Sequence, residues 1–192
     1  MPLIPVLDDQ NLVDLHCSKA VCVGRNYADH AAELNNPVPI EPLLFIKPES
    51  ALLAFTQDLP VDRQHAVHYE LELTVLIGHT LRAATAAEAE DSILGIGLGI
   101  DLTRRDLQAI LKDKGHPWEK AKAFDGSGII TPFVPLEEMP PLSDIGFSLM
   151  INGERRQQGH SSQMITPIID LLVHASEYFT LNPGDIVFTG TP

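Results

Sequence analysis

Cysteine is nearly absent: Cys17 and Cys22 are the only two in 192 residues. Four residues separate them, so they form no C-x-x-C pair, and the sequence encodes neither a disulfide framework nor a zinc ribbon. A reducing compartment is the default. Basic residues are scarce as well, 13 Lys+Arg against 26 Asp+Glu, for a net charge of −13. An acidic surplus of this size repels phosphate backbones and anionic membranes unless a local basic stripe offsets it. No such stripe exists. Arg104, Arg105, Lys112 and Lys114 are interleaved with Asp106 and Asp113, the pattern of a solvated helix face. Long apolar runs are missing too: none reaches about 18 residues, and no basic segment precedes an apolar one at the N-terminus. The expectation is a soluble, cytoplasmic protein with neither a nucleic-acid nor a membrane partner. Thirteen glycines and fifteen prolines fall short of the roughly 25–30 % of low-complexity chains. What is present is 44 % hydrophobic residues, enough for one domain over residues 1–192 with its own core.

The prolines and glycines punctuate short segments. Ala20 to Val23, ending in Gly24, and Leu43 to Ile46, ending in Lys47-Pro48, read as buried strands. Tyr69 to Ile77 alternates between polar and apolar and then turns apolar throughout. Phe147 to Ile151 followed by Asn152-Gly153 and Glu154 onward reads as a hairpin with a type I′ turn. Asn182-Pro183-Gly184-Asp185 is a turn feeding a strand over Ile186 to Thr189. Helices are fewer. Thr85-Ala86-Ala87-Glu88 is a capping box opening a short helix that ends near Gly95. Thr103 to Asp106 is a second possible box, with Leu107, Ile110 and Leu111 on one stripe and Gly115 as a stop. Thr166, with Pro167 at the first helical position, opens a third helix whose buried face is Ile168, Leu171, Leu172, Ala175 and Phe179. The sum is a strand-rich α+β domain.

Three constellations could carry chemistry. In His68-Tyr69-Glu70-Leu71-Glu72 a strand puts Glu70 and Glu72 on one face, because side chains alternate with a period of two. Asp101 ends the apolar run Ile96 to Ile100, where a strand delivers a residue to a sheet rim. Three carboxylates are hard oxygen ligands suited to Mg²⁺, Mn²⁺ or Ca²⁺ rather than zinc. The alternative is that Glu70 and Glu72 line the solvent face of an amphipathic strand. His30 and Glu33 are three apart, so a helical turn would join imidazole and carboxylate into a base pair of the kind that activates water; the alternative is an exposed acidic helix. Lys122, between aromatic and small residues, could lie beside an anionic substrate or on the surface. Other motifs fail. Gly95-x-Gly97-x-Gly99 lacks the third glycine spacing of a dinucleotide loop. Asp125-Gly126-Ser127-Gly128 lacks the nucleophile-elbow frame, and His65-x-x-His68 lacks a third nitrogen or sulfur ligand.

Several ordered blocks go further together than any one alone: VGRNYADHAAE (Val23 to Glu33), PLLFIKP (Pro42 to Pro48), HYELELTVLIG (His68 to Gly78), GIDLTRRDLQ (Gly99 to Gln108), PWEKAKAFD (Pro117 to Asp125), NGERRQ, and the closing LNPGDIVFTGTP. This array resembles the fumarylacetoacetate hydrolase family, and within it the short single-domain acylpyruvate hydrolase and oxaloacetate decarboxylase branch. The resemblance implies the mixed β-sandwich roll of that family's C-terminal domain, with residues 1–20 as a lead-in, and a homodimer. It implies Glu70, Glu72 and Asp101 as ligands of Mg²⁺ or Mn²⁺, and His30 and Glu33 as a water-activating pair on a lid segment. It implies Lys122 as the cation beside the substrate oxygens, and Arg25, Arg105, Gln108 and Thr191 as substrate contacts. The implied activity is metal-dependent hydrolysis of a C–C bond in small 2,4-dioxo acids such as acetylpyruvate or fumarylpyruvate, with oxaloacetate decarboxylation as a companion. An isomerase or tautomerase acting on oxaloacetate or a hydroxymuconate-type diacid is the alternative, and a non-catalytic metal- or ligand-binding member the second. Members usually carry a Gly-Val-Gly turn and further strands after Thr-Gly-Thr-Pro, which stands here at Pro192.

Overall fold

The computed structural model describes residues 6–7, 11–12, 15–28, 39–55 and 64–192. Strands β1 (Val6–Leu7) and β2 (Asn11–Leu12) pair as a short antiparallel ribbon. The main sheet takes β3 (Lys19–Gly24), β4 (Leu43–Pro48), β5 (Leu52–Ala54), β6 (Val67–Ile77), β7 (Ile93–Arg104), β8 (Gly128–Ile130) and β12 (Ile186–Phe188) in the order β4-β3-β12-β6-β7-β8-β5, with β9 (Val134–Pro135) beside β7. It is mixed: β12 runs parallel to β3, β5 runs parallel to β8, and the other pairs are antiparallel. The chain passes from one end of this path, β4, to the other, β5, through a single 3₁₀ turn at Glu49–Ala51. So short a link curls the sheet until its two ends meet. A separate hairpin, β10 (Gly146–Ile151) and β11 (Glu154–His160), turns through Asn152 and Gly153, both at positive φ, as a type I′ turn requires.

The sheet buries both faces. On β6, Leu71, Leu73, Val75 and Ile77 join the larger cluster, which also holds Leu172 and Ala175 of helix α4 (Ile168–Tyr178) and Phe147 of the hairpin. Leu76, on the opposite face, packs with Cys22, Phe133 and Phe188 in a smaller cluster. Gly97 and Gly99 of β7 serve this second face. A methyl on Gly97 would stand 3.0 Å from Phe133, and one on Gly99 only 2.4 Å from Phe188. The Gly-x-Gly-x-Gly spacing is therefore the period of a strand making room for two aromatic rings.

Helix α1 (Ala86–Asp91) starts at the expected capping box, with Thr85 and Glu88 exchanging bonds, but it stops four residues before Gly95, and Ile93 already belongs to β7. The box proposed at Thr103 does not form. β7 runs through Arg104, helix α2 (Arg105–Asp113) starts without a side-chain cap, and Thr103 turns its hydroxyl to Glu70. Of the α2 stripe, Leu111 is buried while Ile110 is exposed. Pro167 caps α4 rather than opening it, and Phe179 lies just past its end. A third short helix, α3 (Glu119–Lys122), follows α2.

Candidate active site

Glu70 lies directly opposite Asp101 in the β6–β7 register, and Glu72 lies opposite Gly99. Alternation then puts all three carboxylates on the second face, inward, and each is at most 5 % exposed. One oxygen of each lies within 4.8 Å of the others. Three buried anions repel one another and lose hydration, so they persist only with cations close by. Lys122, from α3, donates to Glu70 Oε2 at 2.5 Å and to Asp101 Oδ2 at 2.7 Å. Arg105, the first residue of α2, pairs with Glu70 Oε1. Lys47, at the end of β4, sits 3.0 Å from Asp101 Oδ1. Three carboxylates are thus met by three side-chain cations.

The titration behaviour follows. Burial pushes the Glu72 carboxyl well above its ordinary value, the charges of Asp101 and Glu70 push the same way, and Lys122 and the Gly190 N–H oppose them. Burial alone would lower the Lys122 ammonium, but Asp101 and Glu70 outweigh it and hold the group above the ordinary lysine range. Lys122 is a fixed cation at neutral pH. The cluster suits a hard divalent ion on its own chemistry: an all-oxygen donor set, and Asp101 Oδ1 buried without a hydrogen bond despite its nearness to Lys47.

The surroundings are built by three segments. After β12, Thr189 bonds Leu73 O through both its N–H and its hydroxyl, which places the Gly190 N–H 2.7 Å from Glu72 Oε2. Gly190 has φ of +98°, and a Cβ there would lie 2.6 Å from Asn26. Thr191 follows, its hydroxyl held by Gln157 of the hairpin at 2.9 Å, while the Gln157 carbonyl accepts from Leu71 N–H. Beyond β3, Arg25 takes φ of +60°, a region costly for a side-chain-bearing residue. Asn26 locks that turn: its amide donates to Thr189 O and Thr166 O and accepts from Thr166 N–H. On α2, Arg105 also donates to Gln108 Oε1 at 2.6 Å, while its Nε is a buried donor with no hydrogen-bond partner.

The structure therefore brings Glu70, Glu72, Asp101, Lys122, Arg105, Gln108, Thr191 and Arg25 to one cleft, which Phe45 and Trp118 wall on the apolar side. His30 and Glu33 lie outside the described residues. Lys47, Asn26, Gln157 and Gly190 were not singled out from the sequence. Gly190 had a signal in the repeated small residues of Thr-Gly-Thr, whereas Lys47 had none, since a lysine before proline at a strand end ordinarily reads as exposed.

Comparison with known proteins agrees with this geometry. The family described as fumarylacetoacetate (FAA) hydrolase C-terminal matches residues 19–192. The oxaloacetate tautomerase YcgM of Escherichia coli (strain K12) is 49 % identical over 183 residues, covering 94 % of this chain and 84 % of that protein. The human mitochondrial oxaloacetate tautomerase FAHD1 is 42 % identical over 181 residues, covering 90 % and 78 %. Among solved structures, the fumarylpyruvate hydrolase from Pseudomonas aeruginosa in complex with Mn²⁺ and pyruvate superposes with a TM-score of 0.92 at 36 % identity, covering all of this chain and 84 % of that one. The fold is thus shared with these proteins, and the chain belongs to the fumarylacetoacetate hydrolase family.

Proposed function

We propose that the protein is a divalent-metal-dependent tautomerase of oxaloacetate, interconverting its keto and enol forms. One observation carries this reading: a buried carboxylate triad matched by three cations, in a chain 49 % identical to an oxaloacetate tautomerase. Glu70, Glu72 and Asp101 would hold Mg²⁺ or Mn²⁺, which when bound supplies positive charge that stabilises an enolate. The other groups orient the acid and manage the proton. Arg105, through its unpartnered Nε, and Gln108 and Thr191 bind the carboxylate next to the 2-oxo group. Lys122, kept cationic by its two carboxylates, faces the developing oxyanion as a fixed charge and is not the base. His30 and Glu33, three apart, are the pair proposed to take a proton from C3 as the 2-oxo oxygen gains one.

A second reading rests on the likeness to the fumarylpyruvate hydrolase. The same pair would then activate water against the distal carbonyl of an acylpyruvate, releasing pyruvate and a carboxylic acid. One experiment separates the two. Freshly dissolved enol-oxaloacetate and, separately, acetylpyruvate are mixed with the protein, with Mg²⁺ or with chelator, while enol absorbance and pyruvate are followed. Metal-dependent loss of the enol without pyruvate is the expected result, and Glu72→Gln should lower that rate by about 100-fold. Pyruvate formed from acetylpyruvate would move the assignment to the hydrolase, and no metal-dependent turnover of either compound would sink both.

A further inference from the structure

Gln157 of β11 links the hairpin to the cleft. It is half-buried, and its amide oxygen accepts from Leu71 N–H at 2.8 Å. Leu71 stands on β6 between Glu70 and Glu72, the two triad acids that this strand supplies. The other end of the same amide, Nε2, donates to Thr191 Oγ1 at 2.9 Å, and Thr191 lines the cleft. β11 is shaped for this contact. Leu149 pairs with Gln157 and Met150 with Arg155, so Arg156 is an extra residue in the ladder, and such bulges re-aim the side chain beside them. Two residues on, and so on the same face of the strand, Gly159 is bare: a Cβ there would stand 2.7 Å from Cγ of Pro192, the residue after Thr191.

A backbone N–H can only donate, so the end of the Gln157 amide that meets Leu71 must be its oxygen. The end that meets Thr191 is then the NH₂ group, which also can only donate. Thr191 Oγ is thereby committed as an acceptor toward Gln157, and its proton, kept off that side, has no acceptor among the described residues. We infer that Gln157 is a positioning residue that fixes the polarity of Thr191, holding the hydroxyl with its proton turned to the cleft as a donor to the substrate carboxylate. An unheld hydroxyl can present either its proton or a lone pair, and toward a carboxylate only the proton attracts. The same amide fastens this hydroxyl to the backbone between Glu70 and Glu72, so the carboxylate contact and the triad share one reference frame.

This inference rests on the metal-centred reading above, in which Thr191 meets the carboxylate next to the 2-oxo group. Calorimetric titration of pyruvate, which keeps both of those groups, into Mn²⁺-loaded protein tests it by affinity rather than by rate. Gln157→Glu preserves the shape and the acceptor for Leu71 N–H but offers Thr191 a second acceptor, which turns the hydroxyl proton away from the cleft. It should weaken pyruvate by about tenfold, the loss of one hydrogen bond to a charged group. Thr191→Val should cost about the same, and the double variant should bind no more weakly than Thr191→Val alone. Should Gln157→Glu not fold, Gln157→Met, which adds no charge, is compared in the same two backgrounds and read the same way. Wild-type affinity in the Gln157 variant, or losses that multiply in the double variant, overturns the inference while leaving the metal-centred reading intact. If wild type binds no Mn²⁺, or binds pyruvate no better with Mn²⁺ than in chelator, both readings fall.

Discussion

Lys47 is wholly buried, its ammonium surrounded by Asp101 Oδ1, Ser127 Oγ and the carbonyl of Lys122. One side chain therefore steadies a carboxylate of the triad and the backbone of the lysine that neutralises it. Replacing it with methionine keeps much of the volume but leaves Asp101 buried with one cation fewer. The expected cost is about 3–5 kcal/mol, and Mn²⁺ should restore part of it by supplying the missing charge. Denaturant unfolding with and without Mn²⁺ checks this; a variant as stable as wild type in chelator would show that the ion pair contributes nothing. The two hydrogen-bond partners of this ammonium lie 75 and 80 positions along the chain. No local pattern around Phe45-Ile46-Lys47-Pro48 signals them, so its role was illegible in the sequence. Glu70 and Glu72 were legible as a pair, because a strand's alternation is local, but the direction they face was not.

At the scale of elements, β7 shows how one strand serves two tasks. Its outward alternation offers Ile96, Leu98 and Ile100 to the larger cluster, while Gly97, Gly99 and Asp101 lie on the site face. Gly99 must stay bare because Phe188 of β12 crosses it, and β12 delivers Thr189, Gly190 and Thr191 to the cleft. Gly99→Ala places a methyl 2.4 Å from the Phe188 ring and 2.7 Å from Thr74 Cγ2, and should destabilise by about 3 kcal/mol. Gly115→Ala is the contrasting variant: its φ is +63° but nothing lies within 4 Å, so only the backbone term of about 1 kcal/mol applies. Urea midpoints of the two variants compare these costs directly, and equal shifts would contradict the packing account. The capping box at Thr85 and the Asn152-Gly153 turn were readable because each is complete within four residues. Thr103 obeyed a distant demand instead, giving its hydroxyl to Glu70 rather than to a helix end.

For the whole molecule, the site as proposed would make stability depend on pH and on metal together. Glu72 is held well above its ordinary value by burial and by Asp101 and Glu70, so the folded chain keeps a proton that the unfolded chain has lost. A raised value of this kind contributes stability that is complete below the unfolded value, about 4.3, and vanishes as pH climbs through the folded one. Lys122, also raised, keeps its contribution until pH passes above the ordinary lysine range and adds no slope at neutral pH. If Glu70, Glu72 and Asp101 hold a divalent ion as proposed, it would compete with the Glu72 proton, and its stabilising effect should then grow with pH. Melting temperatures in chelator and in Mg²⁺, from about pH 5 to about pH 8, should diverge as pH rises; a constant gap would contradict the coupling. The net charge of −13, read first as repulsion of polyanions, also conceals a cleft whose lining includes Arg25, Arg105, Lys112 and Lys122. What the sequence by itself determined is local: the I′ hairpin, the Thr85 box, and the alternation that puts Glu70 and Glu72 on one face, all set by residues within a few positions of one another. Only the tertiary structure decided that this face points inward, that Asp101 stands in register with Glu70, and that Lys47, Arg105 and Lys122 converge on them. Neutralising buried charge requires partners gathered from separate elements, and the curl of the sheet is what gathers them.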